Sequence, residues 1–366
     1  MSKLKKFFFS LIALIYIMGC LSGCTPAGTS EHGGAELKII TTIFPEYDWV
    51  RNVLGDNPAQ AQLTLLLDSG ADLHSYQPTA SDLLGISTCD LFIFVGGESD
   101  KWVKDALKSA VNKDMTVINL LETLGDSLKE EETVEGMQES GHDHDHEGHD
   151  GEEHDHDHEG HDGEGHDHED HNGEEHDHDH ENHDEDEVEY DEHVWLSLRN
   201  AGIFVNTVAS ALQKLDPANA SSYKKNADAY IERLNDLDKD YKKTVDEAPV
   251  KTLLFGDRFP FRYLVDDYGL DYYAAFSGCS AETEASFATV TFLAQKLDAL
   301  SLPSVLTIER SDQKIAKAII DSTRDKDRNI LTLDSLQSVT RNDIESGVTY
   351  LSVMENNLCV LKEALK

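Results

Sequence analysis

Residues 216–249 read DPANASSYKKNADAYIERLNDLDKDYKKTVDEAP, with neither glycine nor proline between Pro217 and Pro249. One helix of about thirty residues would be about 45 Å long at 1.5 Å per residue. That length is typical of a rigid connection between two separate units. We therefore predict an interlobe helix at residues 217–248.

Short apolar runs alternate with helical patterns on both sides of this helix. The runs LKIITTIF, AQLTLLL, DLFIFVGG and MTVINL predict four strands before it, and VKTLLFG, LDYYAAF, SVLTIE and NILTLDS predict four after it. Strands that alternate with helices favour right-handed crossovers and parallel sheets. We expect an α/β fold with two parallel-sheet lobes joined by the long helix, the N-terminal lobe at residues 36–128 and 192–216 and the C-terminal lobe at residues 249–366.

An acidic, histidine-rich tract interrupts the first lobe at residues 129–191. HDHDHEGHDGEE from His142 recurs as HDHDHEGHDGEG from His154, as HDHEDHNGEE from His166 and as HDHDHENHDEDE from His176. No repeat has an apolar face that could stack, so this is not the pattern of a solenoid. We predict a disordered loop inserted in the N-terminal lobe.

Most of the formal net charge of -40 comes from this tract. Residues 141–192 contain 26 Asp and Glu and no Lys or Arg, which leaves 14 of the 40 negative charges for the rest of the chain. Binding a phosphate backbone needs clustered Lys and Arg. No such cluster occurs beyond the N-terminus, so we expect no nucleic-acid partner.

The N-terminus has the pattern of an export signal. Three lysines within the first six residues precede the apolar run FFFSLIALIYIMG, and LSGC follows at residues 21–24. This resembles a bacterial lipobox, in which the cysteine after the cleavage site carries two acyl chains, enough for stable anchoring. We expect a signal peptide at residues 1–23 and a lipidated Cys24 that begins a linker at residues 24–35. The protein would then be anchored on the extracytoplasmic face of the bacterial membrane, with an uncleaved signal anchor as the alternative.

Three cysteines remain in the mature chain: Cys89, Cys279 and Cys359. They are odd in number and far apart, and no CxxC pair occurs. A disulfide framework is therefore not indicated, although a single bridge among the three stays open.

Only two histidines, His74 and His193, lie outside the tract and the leader. A lone histidine in a loop is more often structural than a ligand. Here, however, each lies at the junction of a predicted strand and helix, and each has an acid two residues before it, Asp72 and Asp191. Neutral imidazole is a common metal ligand, usually with a carboxylate or carbonyl on its other nitrogen. The pair indicates a metal site in which Asp72 and Asp191 orient the rings.

Four segments carry a resemblance to a known family. ADLHSYQPTASDL, EHVWLSLRNA, FRYLVDDYGL and AETEAS occur in that order, behind a lipobox and around a histidine-rich loop. The chain resembles the substrate-binding lipoproteins of zinc/manganese ABC importers over essentially its whole mature length. The resemblance implies two α/β lobes with a metal between them, and delivery of the metal to a membrane permease driven by a cytoplasmic ATPase. It also implies that His74 and His193 are metal ligands.

The remaining ligands are where this chain departs from the family pattern. Many members have a His or Glu upstream of the YGL, but Arg258 occupies that position here, and a guanidinium cannot bind a cation. The neighbouring Asp257 is one substitute, and a loop carboxylate that pairs with Arg258 is its alternative role. The family's last ligand is an acid in a segment similar to LTLDSL, which corresponds to Asp334. Glu282 and Glu309 are further carboxylates at the same edge, expected to support the ligands or to cap helices.

The implied ligand types favour zinc. Two imidazoles with one carboxylate suit Zn²⁺, whereas two imidazoles with two carboxylates would also accept Mn²⁺, which is the alternative. In an extended chain, residues two apart project on the same side about 6.5 Å apart, so neighbouring histidines of the tract can share an ion. We therefore predict that the tract scavenges or buffers zinc; the alternative is a solvated acidic linker, which would not require histidine. The histidines expected to do so are His142, His144, His146, His154, His156, His158, His176, His178 and His180.

Other classes of function have less support. A metal hydrolase would need an activated water beside a general base, but no HExxH or comparable spacing occurs. Two core histidines also cannot supply a Ser/His/Asp set, so we expect no enzyme. Adhesion to host surfaces, found among lipoproteins of this family, is neither supported nor excluded by the residues. A monomer is expected.

Overall fold

The computed structural model describes residues 36–56, 61–138, 189–280 and 284–366. The predicted signal peptide, Cys24, Glu282 and all of the histidines of the tract lie outside these ranges. Within the described ranges, no helix combines the length and the apolar character needed to cross a membrane.

The N-terminal lobe is built on a parallel sheet. Its strands are β1 (Lys38–Thr41), β2 (Gln62–Leu65), β3 (Leu91–Phe94) and β4 (Thr116–Asn119), and its helices are α1 (Phe44–Leu54), α2 (Ala80–Thr88), α3 (Val103–Ser109), α4 (Leu120–Leu124) and α5 (Leu198–Leu215). The strand order is β2-β1-β3-β4. The central strand β1 places Ile40 opposite Thr64 on one side and opposite Phe92 on the other. All four strands therefore end at the same edge of the sheet.

The C-terminal lobe repeats this plan. Its strands are β5 (Thr252–Phe259), β6 (Asp271–Ser277), β7 (Ser304–Thr307) and β8 (Asn329–Thr332), and its helices are α7 (Arg262–Tyr268), α8 (Phe287–Ala299), α9 (Lys314–Ser322), α10 (Arg341–Glu345) and α11 (Tyr350–Ala364). The order is β6-β5-β7-β8, again with parallel pairs. The predicted fold class of two parallel α/β lobes is confirmed.

Helix α6 (Ala220–Glu247) connects the lobes, after a 3-10 turn at Pro217–Asn219. Its 28 residues give a length of about 42 Å. Two tyrosines on its buried face bind it to both lobes: Tyr230 Oη donates to Asp48 of α1 at 3.3 Å, and Tyr241 Oη donates to the carbonyl of Met354 in α11 at 2.6 Å. The buried stripe of this helix comprises Tyr223, Ala227, Tyr230, Leu234, Leu237, Tyr241 and Val245.

One hydrophobic core runs through both lobes. It contains Ile39 and Leu91 from the first sheet, Leu253 and Leu306 from the second, and Leu234 from the connecting helix, all fully or almost fully buried. The outer faces of the two sheets have separate, smaller clusters. The inner faces thus pack as a continuous unit around α6, and this fixes the position of one sheet relative to the other.

The structure places both ends of the predicted loop. Residues 129–138 and 189–191, which the sequence analysis assigns to the loop, lie among the described residues. Glu130 pairs with Tyr190 in an antiparallel bridge, and the backbone N–H of Lys129 donates to Tyr263 Oη at 3.0 Å. Residues 129–138 form a stem before the acidic tract, and Met137 within this stem is buried. The predicted boundary at residue 129 is earlier than the structure places it, because charge alone does not separate the stem from the acidic residues that follow.

Candidate metal site

His74 lies in a one-turn 3-10 helix, Leu73–Ser75, beyond the carboxyl end of β2. Asp72 caps this turn, because its Oδ1 accepts a hydrogen bond from the backbone N–H of His74 at 3.0 Å. The ring is oriented by Ser99, whose Oγ lies 2.8 Å from His74 Nδ1. Ser99 Oγ itself donates to Glu192 Oε2 at 2.5 Å, so its lone pair is free to accept the Nδ1 proton. This chain of hydrogen bonds assigns the proton of neutral His74 to Nδ1 and leaves Nε2 with a lone pair.

His193 is buried at the start of the 3-10 turn Val194–Leu196, directly before α5. Asp191 holds it twice. Its Oδ1 accepts the backbone N–H of His193 at 2.8 Å and lies 3.1 Å from the ring Nδ1. The ring also packs against Trp195, with the centroids 5.2 Å apart. A proton on Nδ1 satisfies Asp191, so Nε2 of this histidine also carries a lone pair.

The two imidazoles meet at these nitrogens. His74 Nε2 and His193 Nε2 are 3.1 Å apart, and the ring planes are inclined by 60°. Two lone pairs at this distance repel each other unless a proton or a metal ion lies between or beside them. The outer hydrogen bonds of both rings therefore present a pair of nitrogen ligands to one point.

Glu192 supplies negative charge beside this pair. Burial acts to raise its pKa, but hydrogen bonds from His74 and Ser99 outweigh burial and hold the pKa below its usual range. The carboxylate is therefore ionised at neutral pH, and its Oε2 lies 3.4 Å from His74 Nδ1. A fixed anion next to the two imidazoles favours a divalent cation in front of them.

Cys279 of the C-terminal lobe lies beside this pair. One ring nitrogen of His74, one of His193 and the Cys279 Sγ all lie within 4.8 Å of one another. Cys279 follows β6 in a turn that approaches His193 closely, since a Cβ added to Gly278 would lie 2.9 Å from His193 Cε1. Burial, and after it the charge of Glu131, raises the pKa of the half-buried thiol well above its usual range, so the metal-free side chain is protonated.

Asp72 and Asp257 do not contact the imidazole rings. Asp72 Oδ2 instead accepts a hydrogen bond from Arg258 Nη2 at 2.6 Å, an ion pair between the lobes, while Asp257 Oδ1 accepts the backbone N–H of Arg258 at 2.9 Å. Burial acts to raise the pKa of Asp72, but Arg258 outweighs it and holds the pKa below its usual range. The expectation that Asp72 orients the His74 ring is therefore corrected: Ser99 occupies that position.

Asp334 and Glu309 lie near each other, outside the group of three. Glu309 accepts hydrogen bonds from the backbone N–H of Ser335 at 2.7 Å and of Gln337 at 3.1 Å, so it organises the loop after β8. Burial, and then the charge of Glu309, raises the pKa of Asp334 to about 7. Asp257 and Glu309 line a cavity of about 400 Å³ in the C-terminal lobe. Among the described residues, the structure thus brings Cys279 to the imidazoles rather than Asp334 or Asp257.

Three residues of this arrangement were not predicted from the sequence: Ser99, Glu192 and Cys279. Two of them had a signal, because Ser99 and Cys279 each follow a predicted strand, where ligands of parallel sheets gather. Glu192 is adjacent to His193, but the sequence pattern indicated Asp191, two residues before His193, as the acid that orients its ring.

Comparisons with known proteins agree with the fold. The chain is 29% identical over 367 residues to the zinc-binding lipoprotein AdcA of Streptococcus pneumoniae, covering 99% of this chain and 61% of that protein. It is 26% identical to the high-affinity zinc uptake system protein ZnuA of Bacillus subtilis, covering 98% and 96% of the two chains. The crystal structure of the Zn(II)-bound ZnuA-like domain of Streptococcus pneumoniae AdcA superposes with a TM-score of 0.62 at 26% identity, over 90% of this chain and 99% of that one.

The chain therefore spans about three fifths of the length of the AdcA relatives that it matches. Residues 39–364 match the family model described as zinc-uptake complex component A, periplasmic. That match includes both lobes, the connecting helix, and His74, His193 and Cys279. The chain belongs to the ZnuA family.

Proposed function

We propose that this protein captures Zn²⁺ between its two lobes outside the cytoplasm and delivers it to an ABC permease for import. The observation that carries the proposal is the imidazole pair, with Nε2 atoms 3.1 Å apart and both Nδ1 atoms held by other groups. The zinc-related names of AdcA and ZnuA support the choice of metal. In this proposal the ion is cargo, not a catalytic group.

The location of the pair suits a carrier. His74 and His193 belong to the N-terminal lobe, while Arg258 of the other lobe reaches Asp72 next to His74. A site at the imidazoles would therefore lie where the two lobes meet, and nitrogen ligands match the preference of Zn²⁺. Mn²⁺, which favours oxygen ligands, is the less suitable cargo.

Two parts of the proposal concern residues outside the described ranges. Anchoring by two acyl chains at Cys24 is supported by the LSGC motif and by the lipoprotein name of AdcA. The scavenging function of the tract is supported by its fifteen histidines and by its position in the sequence shortly before His193. The described chain resumes at residue 189, close in sequence to Asp191 and His193. The tract is therefore joined in sequence to the segment that carries one ligand of the proposed site.

The test is a zinc titration of the full chain in competition with a strong chelator, which reports only the tight site. His74→Ala or His193→Ala should lower the affinity by at least about 100-fold, because each removes an inner bond to a desolvated ion. His166→Ala, which removes one imidazole from the tract, is the matched control and should leave the tight site unchanged. Unchanged tight binding in both of the first two variants would refute the proposal.

A further inference from the structure

The two imidazoles alone are an incomplete zinc site. Structural and transport sites for Zn²⁺ hold the ion with three or four ligands in tetrahedral geometry. The family resemblance implies a third ligand at the position of Arg258. The guanidinium of Arg258 instead donates a hydrogen bond to Asp72 at 2.6 Å. A ligand for the ion must therefore come from another part of the C-terminal lobe.

We infer that the Cys279 thiolate is this ligand, so that the site is formed by His74, His193 and Cys279. The inference rests on the proposed function, since it names the third ligand of the same zinc site. Among the His, Cys, Asp and Glu side chains of the described ranges, these three have ligand atoms that all lie within 4.8 Å of one another. A thiolate is among the strongest ligands for Zn²⁺ in proteins.

The turn that carries Cys279 is shaped for this approach. Gly278 permits it, because any Cβ there would lie 2.9 Å from both the His193 ring and the carbonyl oxygen of Phe259. The backbone N–H of Cys279 is directed to Glu131 Oε1 at 3.4 Å, so the stem of the histidine-rich tract holds the turn from the other side. The turn that carries the thiol thus lies between the His193 ring on one side and Glu131 on the other.

The remaining cysteines do not share these features. Cys89 is fully buried in the outer cluster of the N-terminal lobe, and Cys359 is exposed on α11. All three thiols are free in the structure, so none is consumed by a disulfide. Cys279 is therefore available as a ligand, and Cys359 provides an exposed thiol for comparison.

Binding through sulfur changes the chemistry of capture. The S–H bond of Cys279 breaks, a Zn–S bond forms, and one proton goes to the solvent for each ion bound. The thiolate also determines selectivity, because soft sulfur ligands favour Zn²⁺ and disfavour Mn²⁺. Cys279 thereby gives a reason for zinc specificity that the two histidines alone do not supply.

The experiment uses Co²⁺ as a spectroscopic substitute for Zn²⁺ in the full chain. Wild type and Cys359→Ser should show a thiolate-to-cobalt charge-transfer band in the near ultraviolet, and Cys279→Ser should lack it. The tract cannot produce this band because residues 139–188 contain no cysteine. The affinity of Cys279→Ser for Zn²⁺ should fall by at least about 100-fold, as for an inner ligand, while its weak affinity for Mn²⁺ changes less.

Zinc X-ray absorption spectroscopy of the wild-type chain gives a second measurement that needs no substitution. With one equivalent of Zn²⁺, the spectrum should show one sulfur ligand at about 2.3 Å. Tight binding that depends on His74 but shows neither the cobalt band nor the sulfur ligand would overturn the inference and leave the proposed function intact. Absence of any tight site in the wild type would overturn both.

Discussion

Gly278→Ala is the most direct test of how closely the two lobes meet at the proposed metal site. The added Cβ would lie 2.9 Å from His193 Cε1, 2.9 Å from the carbonyl oxygen of Phe259 and 3.1 Å from His193 Nδ1. Ordinary van der Waals contact begins at 3.4 Å, so the turn must retreat by about 0.5 Å. Neither neighbour can give way easily, because one is backbone and the other is fixed by Asp191 at 3.1 Å.

The expected effect of this change has two parts. Overpacking of this kind lowers the free energy of unfolding by about 1–3 kcal/mol. A displacement of about 0.5 Å is also at the limit of what a ligand set tolerates, so the affinity for Zn²⁺ should fall by about 10–100-fold. Urea unfolding of the metal-free protein measures the first part, and a chelator competition titration measures the second.

Gly202→Ala is the matched control for this variant. A Cβ at Gly202 meets nothing within 4 Å, and the residue lies inside α5. Alanine is better than glycine in a helix by about 1 kcal/mol, so this variant should be slightly more stable and should bind zinc as the wild type does. If Gly278→Ala folded and bound zinc with unchanged affinity, the close approach of the turn to His193 would not be a constraint on the site, and the reasoning would be wrong.

Two further predictions concern buried carboxyl groups. Burial, and then the charge of Asp100, raises the pKa of Glu46 from 4.5 to about 8. The folded state therefore retains a proton that the unfolded state has lost, and the free energy of unfolding should decrease as pH rises from about 4.5 to about 8, by up to a few kcal/mol. Glu46→Gln should flatten this decrease in urea titrations at several pH values, and an identical slope in the variant would contradict it. Asp191→Ala should weaken zinc binding by about 10–100-fold, because His193 loses the group that orients it. Asp191→Asn should retain most of the affinity. Equal affinity of the alanine variant and the wild type would count against this role.

The fold could be predicted from local patterns. Each strand is short and apolar and each connection is helical, so periodicity alone predicts two parallel sheets, and α6 follows from a long segment without glycine or proline. His74 and His193 could also be found, because they are the core histidines and each lies at the edge where parallel strands end. These features depend on residues near one another in the sequence.

The third member of the group could not be predicted in this way. Cys279 and His193 are far apart in the chain, and their proximity depends on how α6 sets one sheet against the other. Local reasoning instead assigned Asp72 to the ring of His74, whereas in the structure Arg258 of the opposite lobe binds that carboxylate. Contacts between lobes decided both outcomes, and sequence spacing contains no information about them.

The core shared by the two lobes also has a consequence for the lifetime of the protein. Because the inner faces of both sheets pack with α6 as one unit, neither half can open without exposing the apolar surface of the other. An ion bound at the junction therefore protects the whole chain, by about 4 kcal/mol when free zinc is 1,000 times the dissociation constant. Proteases that cut transiently opened chains act in proportion to the open population. The zinc supply would thus set how long each molecule survives as well as what it carries, and chains that find no metal would be the first to be degraded.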